Sequence, residues 1–223
     1  MIDKRRREEI IKKMRPSILW KGECLLGSWY TEEEIEAAVK AIRDSMDWNR
    51  GFTGPEIEEF EKAFAEYVDT EYAVAINGAG SGLDMAMMCL DLKPGDEVIC
   101  PAINFHGDHV AIIGQGAKLI FCEVDPRTLC ADPVDVEKCI TPKTRAILVT
   151  HMNGLSADMD ALLEVAERHS TSSSPIRVIG DAARACGGEY KGTKIGKKGW
   201  MTIFSFHTMK LMTTLGEGGM ITT

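Results

Sequence analysis

The chain has 223 residues, of which 44% are hydrophobic and 27% charged, an ordinary composition for a globular protein. Its formal net charge of −8 gives no overall attraction to nucleic acid or to an anionic membrane surface. No apolar run approaches the ~18 residues of a membrane span, and the charged N-terminus lacks the apolar core of a signal peptide.

The first 50 residues have the pattern of an N-terminal helical arm, and residues 51–223 are assigned to one large domain. The segment 31–46 begins with Thr31 and places Glu34 three positions later. This is the arrangement of a capping box, so a helix is predicted to start there.

After a helix predicted over 54–68 from its apolar spacing, short β-rich runs alternate with helical stretches. The strand candidates are 72–77, 97–100, 118–124, 145–152, 176–181, 201–206 and 219–223. The helices between them are predicted over 81–90, 106–114, 132–140 and 159–169. Most strand candidates are nearly continuous in apolar character, as strands buried on both faces are. This predicts a three-layer α/β fold whose seven-stranded, mostly parallel sheet has helices on both faces.

The cysteines indicate the compartment. They are Cys24, Cys89, Cys100, Cys122, Cys130, Cys139 and Cys186. Their number is odd, none forms a CxxC pair, and several lie in apolar strand-like runs. This usage is typical of buried thiols in a reducing compartment, so we expect a cytoplasmic protein.

Three motifs near strand ends could carry chemistry. The turn 77–82, NGAGSG, joins a strand to a helix, where glycines allow close approach and free N–H groups attract an anion. Asp181 ends a buried strand, where parallel sheets place ligand-binding groups. Lys210 lies among apolar residues, and burial would lower its pKa and make it nucleophilic. Each alone also fits a structural role, as a tight turn, a cap or a lysine that reaches the surface.

Together the three motifs match the needs of one cofactor, pyridoxal 5′-phosphate (PLP). PLP requires an anion-binding turn for its phosphate, a carboxylate for its pyridinium nitrogen and a lysine for its aldehyde. Phe105, which follows a strand, offers an aromatic face for the ring. We therefore predict that Lys210 holds PLP as a Schiff base.

Longer segments carry a resemblance to a known family. They are GDEVICPAINF (95–105), HMNGLSADMD (151–160) and the run from Gly180 to Ile221 with its Asp-Ala-Ala, SFHxxK and GEGG motifs. With the opening pattern at 48–87, they make the chain similar to the DegT/DnrJ/StrS family of PLP-dependent sugar aminotransferases. The resemblance implies the large domain of PLP-transferase fold type I, and a C-terminal small domain that this chain lacks.

The resemblance also implies roles for the matching residues. Lys210 would bind the cofactor and shuttle a proton between substrate and cofactor. Asp181 would pair with the pyridinium nitrogen and keep it protonated. Ser205 and the backbone at Gly80 and Ser81 would hold the phosphate.

Two further cofactor contacts follow from the resemblance. Phe105 would stack on the ring. Arg184 occupies a position near the ring's phenolic oxygen where the family usually has Gln or His. An arginine also donates hydrogen bonds there, but it adds positive charge, and this departure leaves the substrate class open.

The implied activity is the transfer of an amino group from glutamate or glutamine to a nucleotide-linked keto sugar or to a cyclitol. The implied assembly is a homodimer, with neither nucleic acid nor membrane as a partner. The alternatives are elimination or dehydration by PLP on the same fold, or a non-catalytic module that retains the fold. The sequence does not determine the keto substrate, the amino donor or the stereochemistry.

The HGDH run at a predicted helix start is a weaker candidate. The run contains His106, Asp108 and His109, and residues three positions apart, such as His106 and His109, share a helix face where a metal could bind. No further ligand that would converge with them is identifiable, so no metal is predicted. Hydrogen bonding at the helix start, or lining of a site beside Phe105, is the favoured interpretation. His151 either approaches the cofactor or is a core histidine, and the second is slightly favoured.

Overall fold

The structure, a computed structural model, describes Arg5, Glu9, residues 30–50 and residues 54–223. The helices are α1 (Glu32–Asp44), α2 (Pro55–Val68), α3 (Ala79–Cys89), α4 (His106–Gly114), α5 (Pro133–Cys139) and α6 (Met159–His169). The strands are β1 (Ala73–Ile76), β2 (Glu97–Pro101), β3 (Lys118–Cys122), β4 (Thr144–Thr150), β5 (Arg177–Asp181), β6 (Glu189–Tyr190), β7 (Thr193–Lys194), β8 (Met201–Ser205) and β9 (Gly219–Thr222). No helix in these described ranges is both long and apolar enough to cross a membrane.

Seven of these strands form one sheet in the order β1-β9-β8-β5-β4-β2-β3. The neighbours β3, β2, β4, β5 and β8 pair in parallel, whereas β9 runs antiparallel to both β8 and β1. The predicted α/β fold with a seven-stranded, mostly parallel sheet is therefore confirmed. Because β9 alone is reversed, β1 points in the same direction as the parallel strands.

The sheet buries side chains on both faces, which explains the continuous apolar runs. In β4, Ile147 and Val149 pack with α5 and α6, whereas Ala146 and Leu148 pack with α3 and α4. This alternation follows from the period of two in a strand. Helices thus cover both faces, and the prediction of three layers is confirmed.

An aromatic cluster anchors α2 to the sheet beside α5 and α6. Phe64 of α2 meets Phe204 of β8 edge-on, with ring centroids 5.1 Å apart, and its ring also packs on Phe206 at 5.6 Å. Phe204 is completely buried, and the three rings share a core with Val68 and Met220. Edge-to-face contacts of this kind add to the free energy of burial.

The predicted capping box at the start of α1 is present. The amide of Thr31 donates to Glu34 Oε2 at 2.6 Å, and Thr31 Oγ1 accepts from the amide of Glu33 at 3.2 Å. None of the side chains of α1, which is described over its full length, is buried. Most of residues 1–29 lie outside the described residues, so the division into an arm over 1–50 and a domain over 51–223 stays a prediction.

A small hairpin formed by β6 and β7 was not predicted from the sequence. Each strand has two residues, too few to show a period of two, and the turn between them contains Lys191 and Gly192 at positive φ. The Tyr190 hydroxyl of this hairpin donates to Asp158, the N-cap of α6. The hairpin thus covers the start of α6.

We expect Phe204→Ala to lower the free energy of unfolding by about 3–5 kcal/mol, because it empties the centre of the aromatic cluster. The matched control is Phe121→Ala, since Phe121 is 55% exposed on the edge strand β3; it should cost less than ~1 kcal/mol. Denaturant unfolding followed by circular dichroism measures both values. Equal losses in the two variants would contradict this account of the core.

Candidate active site

The carboxyl ends of six strands lie along one edge of the sheet. They belong to β1, β2, β3, β4, β5 and β8, which all run in the same direction. The predicted site residues follow four of these strands: Gly80 and Ser81 follow β1, Phe105 follows β2, Asp181 and Arg184 lie at and after β5, and Ser205 and Lys210 lie at and after β8. The topology therefore brings residues from distant parts of the chain to one edge, where open α/β sheets bind ligands.

Lys210 lies in the loop that joins β8 to β9. The loop is closed by backbone hydrogen bonds, from the amide of Phe206 to the carbonyl of Gly218 at 2.7 Å and from Thr208 to Gly216 at 2.8 Å. Within it, the amide of Lys210 donates to the carbonyl of His207 at 2.8 Å. The lysine is thus held by its backbone while its side chain is half-buried.

The Lys210 ammonium interacts with two charged neighbours. Burial lowers the pKa of Lys210, and the nearby guanidinium of Arg184 lowers it further. The carboxylate of Asp181 acts in the opposite direction and raises that pKa. Lys210, Asp181 and Arg184 are therefore close enough for their charges to influence one another, as residues of one site must be.

Asp181 is a buried carboxyl at the end of β5. Its Oδ1 accepts a hydrogen bond from the amide of Ala183 at 2.8 Å. Burial raises the pKa of Asp181, while the Ala183 amide, the charge of Lys210 and a hydrogen bond with Asp108 lower it. The surroundings thus compensate, in part, for a carboxylate removed from water.

Asp108 belongs to the HGDH run, for which the sequence favoured either hydrogen bonding at the helix start or lining of a site beside Phe105. It lies in the first turn of α4 and is completely buried. Its Oδ2 accepts hydrogen bonds from Thr150 Oγ1 and from Asn104 Nδ2, both at 3.0 Å. Burial, the nearby Asp181 charge and a hydrogen bond to Asp181 hold the pKa of Asp108 well above its usual range. Its place in the HGDH run three residues after Phe105 was the available signal.

The turn before α3 leaves backbone N–H groups free for an anion. Gly78 is the N-cap of α3, and no described side chain caps the helix. Gly80 and Ser81 lie in the first turn, where helical N–H groups have no partner within the helix. A Cβ on Gly82 would lie 2.5 Å from Ile76 Cδ1, so this glycine allows α3 to pack closely on β1.

Phe105 and Arg184 are exposed at this edge. Phe105 is the N-cap of α4 and 66% exposed, with its ring centroid 4.3 Å from that of His106. Arg184 donates from Nη1 to Asn153 Oδ1 at 3.4 Å. Ser205, by contrast, is buried at the end of β8, and its Oγ accepts from the amide of His207 at 3.4 Å. Ser205 thus lies at this edge of the sheet, but its side chain is buried.

His151 is a buried histidine beneath this edge, in agreement with the core interpretation. Its Nδ1 accepts a hydrogen bond from the amide of Ala157 at 3.2 Å, and burial lowers its pKa to about 4. The ring is therefore neutral at physiological pH. Among the described residues, no group of three or more His, Cys, Asp or Glu side chains is placed to hold a metal ion.

The sequence matches the model of the DegT/DnrJ/EryC1/StrS aminotransferase family over residues 30–223. A dTDP-3-amino-3,4,6-trideoxy-alpha-D-glucose transaminase from Streptomyces venezuelae is 39% identical over 190 residues, which are 85% of this chain and 48% of that protein. A GDP-perosamine synthase from Caulobacter vibrioides is 43% identical over 167 residues, which are 75% of this chain and 43% of that protein. The chain spans about half the length of these relatives.

Solved structures lead to the same family. The PLP-form of a Streptococcus pneumoniae protein assigned as a sugar aminotransferase superposes with a TM-score of 0.79 and is 32% identical. That match covers 88% of this chain and 52% of the other. The family resemblance and the fold predicted from the sequence are both confirmed. The chain belongs to the DegT/DnrJ/EryC1/StrS aminotransferase family, whose cofactor is pyridoxal phosphate.

Proposed function

We propose that this chain is the PLP-binding part of an aminotransferase that moves an amino group from glutamate or glutamine to a keto sugar or cyclitol. One observation carries the proposal: a half-buried lysine with a lowered pKa, in the loop after β8, lies within electrostatic reach of a buried carboxylate at the end of β5. The lysine is Lys210 and the carboxylate is Asp181. Perturbed titratable groups of this kind cluster at active sites.

The residues present fit PLP. The first turn of α3 supplies unpaired N–H groups, and a Cβ built on Gly80 would meet nothing within 4 Å in the described part of the chain. That space suits a phosphate group at a helix N-terminus. Asp181 supplies a buried acceptor for a ring nitrogen, and Phe105 supplies an exposed aromatic face. Ser205 is the side-chain hydroxyl proposed for the phosphate.

When bound, PLP supplies an electron sink for the carbon that loses a proton. The residues of the chain supply position and proton transfer. Burial and the charge of Arg184 lower the pKa of Lys210 and so favour the neutral form of Nζ, the form that can take a proton and return it. Asp181 would accept a hydrogen bond from a protonated ring nitrogen and so orient the ring. Arg184 keeps a positive charge beside the lysine and so favours the neutral amine.

The class of substrate is supported by the relatives. The Streptomyces venezuelae protein is named as a transaminase of a dTDP-linked amino sugar, and the Caulobacter vibrioides protein is named for the GDP-linked sugar perosamine. We therefore favour a nucleotide-linked keto sugar as the amino acceptor. Arg184 stands where the family usually has Gln or His. We therefore expect this residue to contribute to any difference in substrate preference between this chain and its relatives.

The proposed assembly is a homodimer. Apolar side chains are exposed along α3 and α4, on the outer side of the layer that packs against the sheet. They include Met85, Met88, Val110 and Ile113, with exposures between 44% and 63%. Exposed apolar side chains on two neighbouring helices favour contact with another protein surface. A second copy of the chain is the partner we propose, with a cytoplasmic location supported by free cysteines throughout the described residues.

Lys210→Ala is expected to abolish the visible absorption band that appears when the protein is titrated with PLP. The reason is that Lys210 Nζ is the amine proposed to bind the cofactor aldehyde. The matched control is Lys118→Ala, because Lys118 starts β3 at the opposite edge of the sheet and pairs with Glu97 at 3.3 Å. The proposal fails if the band survives in Lys210→Ala or disappears in the control.

Glutamate or glutamine, added to the PLP-loaded protein without a keto acceptor, is expected to convert the cofactor to pyridoxamine phosphate. This follows because an aminotransferase leaves the amino group on its cofactor in the first half of the reaction. Chromatography of the released cofactor measures the conversion. An eliminating enzyme would instead return PLP unchanged, and that result would favour the alternative chemistry.

Arg184→Gln is expected to raise the pKa of Lys210, because it removes a positive charge that disfavours the ammonium. The pH at which the rate of PLP binding reaches half of its maximum should therefore move upward. Arg184→Lys, which keeps the charge, is the control and should move it much less. Stopped-flow absorbance across a pH series gives the three profiles, and a downward shift in Arg184→Gln would contradict the assigned interaction.

A further inference from the structure

The contact between Asp108 and Asp181 is unusual because both groups are buried carboxyls. Asp108 is completely buried at the start of α4, and Asp181 is 4% exposed at the end of β5. The two carboxyls lie close enough for each to shift the pKa of the other. Thr150, which bonds Asp108, is the residue of β4 that pairs with Asp181 in the sheet, so the contact follows from strand register.

The donors around Asp108 account for only one of its two oxygens. Oδ2 accepts from Thr150 Oγ1 and from Asn104 Nδ2. Oδ1 is buried and has no hydrogen-bond partner among the described residues. This leaves Oδ1 for the carboxyl of Asp181. Two ionised carboxylates are both acceptors and repel each other, so a hydrogen bond between them requires a proton.

The neighbours decide which carboxyl holds that proton. Asp181 accepts the amide hydrogen of Ala183, and the positive charges of Lys210 and Arg184 act on it, all of which favour its ionised form. Asp108 has neutral donors only, and its other close titratable neighbour is the buried thiol of Cys100. A buried group without a nearby cation takes the neutral form. The geometry therefore favours a neutral Asp108 beside an ionised Asp181.

We propose that Asp108 is a positioning residue, a neutral carboxylic acid that donates a hydrogen bond to the carboxylate of Asp181. The proposal rests on the proposed function, since Asp181 is there the acceptor for the ring nitrogen of PLP. The donated hydrogen bond stabilises the ionised form of Asp181 in its buried place. It also fixes the rotation of that carboxylate, so that its remaining lone pairs face the cofactor.

The first test needs no cofactor. Protein labelled with ¹³C at the aspartate carboxyl carbons is titrated by nuclear magnetic resonance, in the wild type and in Asp108→Asn. One carboxyl resonance should keep the shift of a protonated acid at neutral pH, and it should be missing from Asp108→Asn. The proposal is overturned if every aspartate carboxyl is ionised at neutral pH, or if the protonated resonance remains in Asp108→Asn.

The second test measures the dissociation constant of PLP. Asp108→Asn should bind PLP within about twofold of the wild type, because the asparagine amide can donate to Asp181 while its oxygen accepts from Thr150 and Asn104. Asp108→Ala should bind about tenfold more weakly, because Asp181 then loses its donor. The matched control is Asp96→Ala, which removes another buried carboxylate, one that pairs with Arg145 at 3.1 Å before β2.

The outcomes separate the two proposals. If the wild type does not bind PLP, the proposed function fails, and the resonance experiment still decides whether Asp108 carries the proton. If the wild type binds PLP but Asp108→Ala binds equally well, or no more weakly than Asp96→Ala, the positioning role is wrong. Should Asp108→Ala fail to fold, Asp108→Asn decides, because a loss well beyond twofold in that isosteric variant would contradict the role of donor.

Discussion

A carboxylate buried at the end of a buried strand is the constraint on which the candidate site depends. Asp181 ends β5, which is covered by helices on both faces, so its charge is removed from water. Such a charge persists only where hydrogen bonds and opposite charges replace the lost solvation. Here an amide, a second carboxyl and two cations surround it. The residues that meet this need are also those that a PLP site requires.

Strand direction explains why candidate site residues that are far apart in the sequence lie at the same edge of the sheet. All strands of the sheet except β9 point the same way. Their carboxyl ends therefore share one edge, and the loops that follow carry the polar groups. The reversed strand β9 has its own effect, because the closed loop between β8 and β9 holds Lys210 back toward the same edge.

The site combines rigid and open parts. Asp108, Asp181 and Ser205 are buried and held by hydrogen bonds within the core, whereas Phe105 and Arg184 are exposed. Buried groups keep fixed positions because their neighbours are close-packed. Exposed groups can adapt to the molecule that arrives. This division suits a cofactor that is bound by the buried, fixed groups and a substrate that contacts the exposed, adaptable ones.

The sequence by itself predicted the seven strands of the main sheet and the six α-helices within residues 30–50 and 54–223, because each depends on local patterns. Apolar runs indicated the buried strands, and Thr31 and Glu34 indicated a capped helix. The family motifs predicted Lys210 and Asp181 as site residues. The hairpin of β6 and β7 escaped because strands of two residues carry no periodicity. Tertiary structure alone decided the contact of Asp108 with Asp181. That contact depends on the order β2-β4-β5 in the sheet and on the register of Thr150 with Asp181, and no local pattern encodes the distances between chain segments that only folding brings together.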